Sequence, residues 1–484
     1  MVRVMLFNPP QKYYDKSAGF SVHFPLGILS IAASIRDICT VKIFDCLVKD
    51  FEINTSENYI TYGTPLEKIR NAINEFKPDI VGVSTPFSAQ SDNAKEISQI
   101  CREVNPKIVI VFGGPDTTIR YDSLLKKEYC DYCVVGEGEK TFREFIQKFP
   151  NADGIKGLAS LKSKLIRREF IDDLDELLLP AYDLVDVNEY LKHKYLYRDC
   201  GKMGGNSISI ITSRGCPYGC VFCSIKLHMG RKYRYHSPEY VIKNIKFLID
   251  NYKITNFHFE DDNISLNRER FEGILDQIIS NKLKIKWDTP NGIRADTLDF
   301  NLLRKIKAAG CQKLTLAIES GNQRVLNDVI RKGTSLDYML KIVKYCKELK
   351  IRISAFYVIG FPGEKLEEIQ ETVDLAIHLL KEYDVLPCLL VATPLYGTEL
   401  YNICVDKGYI NENLSDKELS SCTQIYGEPL FNTDEFSREE MKNITSKYLS
   451  KLRTGLMVYS IKHPIFASHK IKDYLPLLKK FLGF

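Results

Sequence analysis

The chain has 484 residues, enough for about three folding units that each bury their own core. Hydrophobic residues make up 44% and charged residues 27%, which excludes a disordered or collagen-like chain. Lys and Arg outnumber Asp and Glu by 67 to 62, too small and dispersed an excess to indicate a nucleic-acid partner. No apolar run is long enough for a membrane span, and the N-terminus lacks the order of a signal peptide. We therefore expect a cytoplasmic protein with reduced cysteines.

Residues 1–150 alternate between short β-branched runs and helical patterns, which is typical of a parallel sheet built from βα units. The expected strands are Val2–Phe7, Val41–Phe44, Ile80–Ser84, Ile108–Phe112 and Tyr132–Val135. They predict an α/β, flavodoxin-like doubly wound domain, in which ligands bind outside the carboxyl ends of the strands. We call this edge the rim, and it is formed by the loops Asn8–Pro10, Ser84–Gln90, Gly113–Thr118 and Gly136–Glu139.

Three regions follow the first domain. Residues 151–205 have weak periodicity and indicate a connector, whereas residues 401–484 favour a mainly helical C-terminal region. Between them, residues 206–400 predict a partial (β/α)6 TIM barrel with its chemistry at the carboxyl ends of the strands. Its expected strands are Ser207–Thr212, Asn256–Phe259, Ile285–Thr289, Lys313–Ile318, Arg352–Ile359 and Cys388–Ala392.

The sharpest motif is ITSRGCPYGCVFCSI, in which Cys216, Cys220 and Cys223 follow the first strand of the barrel. Three thiolates at this spacing can bind three irons of a [4Fe–4S] cluster and leave the fourth iron without a protein ligand. A zinc site is an alternative, with His228 as a poorly spaced fourth ligand. A buried structural trio of cysteines is another.

This motif resembles the signature of the radical S-adenosylmethionine (radical SAM) enzymes, C-x3-C-x2-C with an aromatic residue, here Phe222, before the last cysteine. The resemblance extends over roughly residues 208–401, through FEDDN at 259–263, NGIRAD at 291–296, AIESG at 317–321, RKGTS at 331–335, YVIGFPGE at 357–364 and ATPLYGTELY at 392–401. It implies that the open iron binds SAM, that Phe222 meets the adenine, and that Glu260, Arg294, Glu319 and Ser320 lie near the methionine or ribose. Structural ion pairs are the alternative for the charged residues.

The first domain resembles the cobalamin-binding domain of a large radical SAM subfamily, through FNPP at 7–10, FPLGILSIAA at 24–33, FGGPDTT at 112–118 and GEGEKTFREF at 136–145. Cobalamin contacts are then expected at the rim, from Ser84, Thr85, Gly113, Gly114, Gly136, Gly138 and Glu139. The alternative is that the glycines are only turn residues. The D-x-H-x-x-G motif that ligates cobalt is missing, because His23 has Ser21 two residues before it and Leu26 three after. The resemblance therefore implies a cobalt without a histidine ligand.

Together these resemblances imply an enzyme that cleaves SAM to a 5′-deoxyadenosyl radical and methylates an unactivated carbon through methylcobalamin. Oxidative cyclisation or C–C coupling without methyl transfer is the main alternative, and a non-catalytic iron–sulfur or cobalamin-sensing protein is another. The expected partners are an unidentified substrate, with a hydrophobic one favoured, and an electron donor of the ferredoxin or flavodoxin type.

Other cysteines and the C-terminal tail have simpler interpretations. Cys130 and Cys133 flank a predicted strand and should face opposite sides, which favours buried free thiols over a redox pair. Cys388, Cys404 and Cys422 are too widely spaced to predict a second cluster. Residues 460–484 contain five lysines and one acid among apolar residues, so this tail either packs on its own domain or contacts a membrane surface.

Overall fold

The computed structural model describes residues 1–14, 20–198, 200, 205–423 and 427–462. The strands of the first domain are β1 (Arg3–Asn8), β2 (Gln11–Tyr13), β3 (Thr40–Asp45), β4 (Glu52–Thr55), β5 (Ile60–Gly63), β6 (Ile80–Ser84), β7 (Val109–Gly113), β8 (Tyr132–Val134) and β9 (Leu158–Ala159). Its helices are α1 (Leu26–Ile35), α2 (Leu66–Phe76), α3 (Ser91–Val104), α4 (Pro115–Lys126) and α5 (Gly138–Lys148), and α6 (Val187–Lys192) lies in the connector.

The first sheet has the strand order β3-β1-β6-β7-β8-β9, with parallel pairing up to β8. Numbered among the parallel strands alone, this is the order 2-1-3-4-5 of a flavodoxin-like fold, as predicted. Alternate residues of β1 enter two different hydrophobic clusters, Met5 and Phe7 in one and Val4 and Leu6 in the other. A strand buried on both faces is a continuous apolar run, which explains why the sequence pattern located it.

Two features of the first domain were not predicted. The antiparallel strand β9 joins the first sheet beside β8, so this sheet continues past the boundary expected at residue 150. A separate antiparallel sheet of order β2-β5-β4 stands beyond the end of β1. Its aromatic residues pack on those of the connector, with Phe20 stacked on Tyr62 at 4.3 Å between ring centroids and Tyr195 against Phe20 at 5.5 Å.

The second domain is a parallel sheet of six strands in sequential order, β10-β13-β14-β15-β16-β17. Its strands are β10 (Asn206–Ile210), β13 (Ile254–Phe259), β14 (Lys286–Ile293), β15 (Cys311–Glu319), β16 (Arg352–Ile359) and β17 (Leu386–Val391), and a small hairpin is formed by β11 (Ser213–Arg214) and β12 (Arg234–Tyr235). The intervening helices are α7 (Ile225–His228), α8 (Pro238–Tyr252), α9 (Arg268–Ser280), α10 (Phe300–Ala308), α11 (Leu336–Glu348) and α12 (Leu366–Tyr383). Six parallel strands in this order form the predicted partial barrel.

The C-terminal region is helical, with α13 (Glu399–Asp406), α14 (Asp416–Cys422) and α15 (Arg438–Lys462). Helix α15 packs along α12, where Gly455 leaves room for Leu380. Among the described residues, no helix combines the length and the apolar character that crossing a membrane requires. Most of the lysine-rich tail, residues 463–484, lies outside the described residues.

Candidate active site

The three motif cysteines lie on the loop between β11 and α7, and all are partly buried. The loop is fixed at several points. The N–H of Cys216 donates to the carbonyl of Gly230 at 3.2 Å, and the N–H of Val221 donates to the carbonyl of Ile330 at 3.1 Å. Gly215 has φ +86°, and a Cβ there would collide with the carbonyl of Lys232, so only glycine fits before the first cysteine.

The electrostatic surroundings suit three thiolates. Burial raises the pKa of Cys216 and Cys220, and burial together with the other two thiols raises the pKa of Cys223 to about 12. Opposing this, the N–H groups of Tyr218 and Ile225 donate to the sulfurs of Cys216 and Cys223. The cationic side chains of two basic residues also act on Cys220, Lys332 and Arg294. Thiols crowded among donors and cations fit the ligands of a cationic metal centre.

The spacing of these thiols disfavours the zinc alternative. Within the described part of the chain, the one group of three Cys, His, Asp or Glu donors lying within 4.8 Å of one another is Cys200, His258 and Asp288, not the motif cysteines. A single zinc ion holds its ligand atoms closer than that, whereas a multi-iron cluster bridges thiolates that stand further apart.

The predicted SAM residues gather at the carboxyl ends of the barrel strands. Arg294 follows β14, and its guanidinium lies 3.6 Å from the ring centre of Tyr218, inside the cysteine loop, while it pairs with Asp296. Glu319 ends β15 with φ +67° and forms a buried ion pair with Lys332 at 3.1 Å. The structure thus brings Arg294 and Glu319 to the cysteine loop, as the resemblance implied.

The remaining three predicted residues have protein partners as well. Glu260 follows β13 and accepts a hydrogen bond of 2.9 Å from Ser209. Ser320 is fully buried, with its hydroxyl 3.1 Å from that of Thr372. Phe222 packs at 5.7 Å between ring centroids from Phe361.

Sequence reasoning missed several residues of this site. Tyr218 and Lys332 lie inside motifs that were recognised, CPYGC and RKGTS, but their contacts depend on tertiary packing. Asp262 lies close enough to influence Cys216, and burial, with the charge of Asp261, raises its pKa to about 7. Burial raises the pKa of Glu364 to about 8, although its carboxylate accepts hydrogen bonds from the N–H groups of Gly360 and Phe361.

At the rim, Thr85 and Gly114 build the backbone. Thr85 is buried, and its hydroxyl donates to the carbonyl of Gly113 at 3.0 Å and lies 2.6 Å from that of Thr117. Gly114 has φ +114°, and a Cβ there would lie 3.0 Å from the Thr85 carbonyl oxygen, so this turn requires glycine. The hydroxyl of Thr85 is therefore already engaged inside the protein.

Two other predicted rim residues also make internal contacts. A Cβ on Gly138 would lie 2.5 Å from Cδ1 of Ile31, so packing of α5 on α1 already requires this glycine. The carboxylate of Glu139 is buried and accepts hydrogen bonds from Ser30 at 2.8 Å and Arg214 at 2.7 Å. The residues that leave the rim backbone approachable are Ser84, Gly113 and Gly136, which are partly exposed.

A buried ion-pair cluster joins the rim to the cysteine loop. Arg214, two residues before Cys216, donates to Glu137 at 3.0 Å and to Glu139 at 2.7 Å. Arg234 of the same hairpin donates to Glu137 at 2.7 Å. Side-chain exposure is 14% or less for all four ion-pair partners. Helix α7, which follows the last cysteine, also packs against α4 of the rim.

His23, the only histidine of the first domain, belongs to the mouth of the barrel. Its Nδ1 lies 3.8 Å from Oε1 of Glu260, and its ring stacks on Tyr197 with centroids 5.1 Å apart. The long loop after β1 thus carries this side chain to the second domain.

Comparison with known proteins decides the family. The Radical SAM superfamily model matches residues 210–376, and the B12 binding domain model matches residues 17–146. An uncharacterized methyltransferase of Pyrococcus horikoshii, PH0819, is 30% identical over 472 residues, which cover 95% of each chain. The protein belongs to the cobalamin-binding radical SAM enzymes.

This radical SAM enzyme is also similar to the cytidylyl-2-hydroxyethylphosphonate methyltransferase of Streptomyces wedmorensis, at 27% identity over 486 residues that cover 92% of this chain and 89% of the relative. Among solved structures, the radical SAM methyltransferase TsrM of Kitasatospora setae, with tryptophan substrate and a SAM analog bound, matches with a TM-score of 0.64. Its 18% identity, over 85% of this chain and 78% of that chain, shows a shared fold.

The prediction of a radical SAM enzyme of the methyltransferase type, with a [4Fe–4S] cluster, SAM and cobalamin, is confirmed. Such an enzyme acts on a substrate and needs a reductant.

The other cysteines of this radical SAM enzyme form no second cluster with one another in the described residues. Cys404 and Cys422 are buried in different hydrophobic clusters, and Cys388 is partly exposed on β17. Cys130 and Cys133 are buried free thiols, but the expectation that they face opposite sides is wrong. Their sulfurs lie 3.4 Å apart, because Cys130 precedes β8 and the chain turns there.

Proposed function

We propose that this enzyme methylates a carbon atom that carries no activating group, with its substrate held between the rim and the mouth of the barrel. The observation that carries the proposal is the ion-pair cluster of Arg214 and Arg234 with Glu137 and Glu139. It fixes the cysteine loop directly beside the loops expected to bind cobalamin. When bound, the cofactors supply radical cleavage of SAM and a transferable methyl group.

Cys216, Cys220 and Cys223 hold the cluster as thiolates, and Lys332 and Arg294 balance their negative charge. SAM carries an ammonium and a carboxylate, which need an acceptor and a donor respectively. Glu319 offers the acceptor and Arg294 the donor, and both side chains are held in place by their own ion pairs. The ring of Tyr218 under the Arg294 guanidinium orients it toward the cysteine loop.

Cobalamin binds along the rim, where Gly113 and Gly136 allow a bulky ligand to approach the backbone. A Cβ on either glycine would find its nearest neighbour 3.8 Å away, so neither glycine is needed for packing within the protein. Since His23 is turned toward Glu260, no histidine of the first domain serves the cobalt. The protein leaves that face of the cofactor without a histidine ligand.

An acidic electron carrier of the ferredoxin or flavodoxin type supplies electrons at the surface beside the cysteine loop. This surface carries basic residues on and after α7, including Lys226 and the exposed Arg231. Complementary charge would guide such a carrier toward the cluster. For the substrate, a hydrophobic molecule remains our proposal.

The test separates the cofactors. Replacing the three motif cysteines with alanine should remove the bound iron and all 5′-deoxyadenosine formation from SAM, whereas Cys346→Ala, at a buried thiol on α11, should leave both unchanged. If the triple variant kept its iron, the cluster assignment would be wrong.

The rim is tested at one position with two side-chain sizes. Gly113→Phe should lower bound cobalamin and the conversion of SAM to S-adenosylhomocysteine on reduced cobalamin, and iron should stay constant. Gly113→Ala, whose methyl group has room, is the matched control. Equal cobalamin binding by the two variants would contradict the rim assignment.

Methyl transfer is tested with SAM that carries a trideuterated methyl group, supplied together with a small-molecule extract of the source cells. A product that gains the intact trideuteromethyl group, with one 5′-deoxyadenosine and one S-adenosylhomocysteine per product, is expected. Product formed with 5′-deoxyadenosine alone would instead indicate cyclisation or coupling.

A further inference from the structure

A thiol, an imidazole and a carboxylate meet inside the second domain, apart from the cysteine loop. His258 on β13 and Asp288 on β14 are register partners, so their side chains project from the same face of the sheet. Cys200, at the end of the connector, reaches the same place. All three residues are at most 1% exposed.

The three donors converge on one nitrogen. Nδ1 of His258 lies 2.7 Å from Oδ1 of Asp288 and 3.4 Å from the sulfur of Cys200, whereas Nε2 is 3.9 Å from that sulfur. One ligand atom from each residue lies within 4.8 Å of the other two. This is a compact donor set of the size that encloses a single ion.

The carboxylate is also incompletely satisfied. Asp288 is fully buried, and its Oδ2 has no hydrogen-bond partner. The nearest charge opposite is the ammonium of Lys313, the register partner on β15, at 4.0 Å from Oδ2. A buried carboxylate is costly unless it is paired or coordinates a metal.

We propose that Cys200, His258 and Asp288 bind one divalent ion of the zinc class. Thiolate, imidazole and carboxylate are the ligands that zinc takes in proteins, usually three of them with a fourth position for water. With bonds of about 2.3 Å to sulfur and about 2.05 Å to nitrogen, a tetrahedral ion holds these atoms about 3.5 Å apart. The observed separation of the sulfur and Nδ1 is 3.4 Å.

Binding exchanges protons for the ion. The thiol of Cys200 and the imidazole Nδ1 release their protons to solvent, so the hydrogen bond between Nδ1 and Oδ1 gives way to two metal bonds. Lys313 stays beside the second carboxylate oxygen as an outer partner of the site. The ion ties the connector to β13 and β14 next to Tyr197, which packs on both His23 and His258.

The first experiment measures zinc and iron in the full-length enzyme, purified without oxygen and washed with a chelator. About one zinc per chain is expected in addition to the cluster iron. Cys200→Ala should lose the zinc and keep the iron. Cys346→Ala, the same change at another fully buried thiol, should keep both.

The second experiment addresses variants that fail to fold and zinc bound at the cysteine loop. Asp288→Asn preserves the shape of the side chain and removes its charge, so it should weaken zinc binding at least tenfold in a soluble protein. Cobalt(II) added to zinc-depleted enzyme should produce thiolate-to-cobalt absorption that Cys200→Ala lacks. The triple cysteine-to-alanine variant of the loop should retain it.

The proposal is wrong if the wild type takes up no zinc after incubation with zinc chloride, or if Cys200→Ala keeps it. It is equally wrong if the metal is lost only when the loop cysteines are removed. None of these results bears on the cluster assignment, which depends on iron.

Discussion

Replacing Arg214 with methionine tests whether the ion-pair cluster holds the two domains together. Arg214 is 14% exposed and donates to Glu137 and Glu139. Glu137 would keep Arg234, but Glu139 would keep only the hydroxyl of Ser30. One buried carboxylate is therefore left without a cation, a change that typically costs about 3–5 kcal/mol. Arg214→Met should lower the free energy of unfolding by this amount at neutral pH.

The pH dependence has a definite sign. Burial raises the pKa of Glu139, but Arg214, with help from Ser30, outweighs it, so the net pKa is lowered. In the wild type this carboxylate stabilises the fold above its unfolded pKa of about 4.3, and the contribution is lost as the pH falls through the folded value. Without Arg214, burial raises the folded pKa. The deficit of the variant should thus be largest at neutral pH and shrink below about pH 4.3.

Urea denaturation followed by circular dichroism measures these differences. Glu139→Gln in the same chain as Arg214→Met removes the unpaired charge and should restore most of the lost stability. The matched control is Arg36→Met, because Arg36 pairs with Asp183 at the surface, where both side chains are at least 41% exposed. This control should cost at most about 1 kcal/mol. If Arg214→Met costs no more than Arg36→Met, the buried ion pair does not hold the domains as we infer.

Three further predictions concern single positions. Gly138→Ala should cost about 1–3 kcal/mol, measured by thermal denaturation, because its methyl group would overlap Cδ1 of Ile31, and Ile31→Val should relieve the cost. Glu364, with a pKa of about 8, binds its proton more tightly when folded, so its contribution to stability falls as the pH rises from about 4.3 to 8. Glu364→Gln should therefore become more stable than the wild type at pH 9, and equal pH profiles would contradict this. Lys332→Met should cost about 3–5 kcal/mol by leaving Glu319 unpaired, whereas added Glu319→Gln should restore stability but not SAM binding in equilibrium dialysis.

The sequence located the two parallel sheets well because their strands are buried on both faces. The strand predicted over Arg352–Ile359 matches β16 at both ends. It was silent about β4, whose four residues are all exposed and have no apolar alternation. Helix α4 was expected only near Ser123–Lys127, but it begins at Pro115, after Gly114. Proline in the first turn is a start signal that could have been used.

For the site, spacing was enough to find the cysteines, since one loop carries all three. Contacts between distant segments were beyond the sequence. Arg214 and Glu139 are 75 positions apart, and only packing of the two domains brings them together. Glu139 was expected at the cofactor on the basis of its motif, and its ion pair with Arg214 became visible only in the folded chain.

The connector has a consequence for how ligands enter. Its residues are bonded to both domains: the carbonyl of Gly157 accepts from Val135 of the first, and the carbonyl of Ile171 accepts from Arg234 of the second. The N–H of Ile171 also donates to Glu137. Swinging the domains apart would break these bonds together with the ion pairs, so a hinge-like opening is not available to this fold. A large ligand must enter by movement of the loops, and we expect it to exchange slowly once bound.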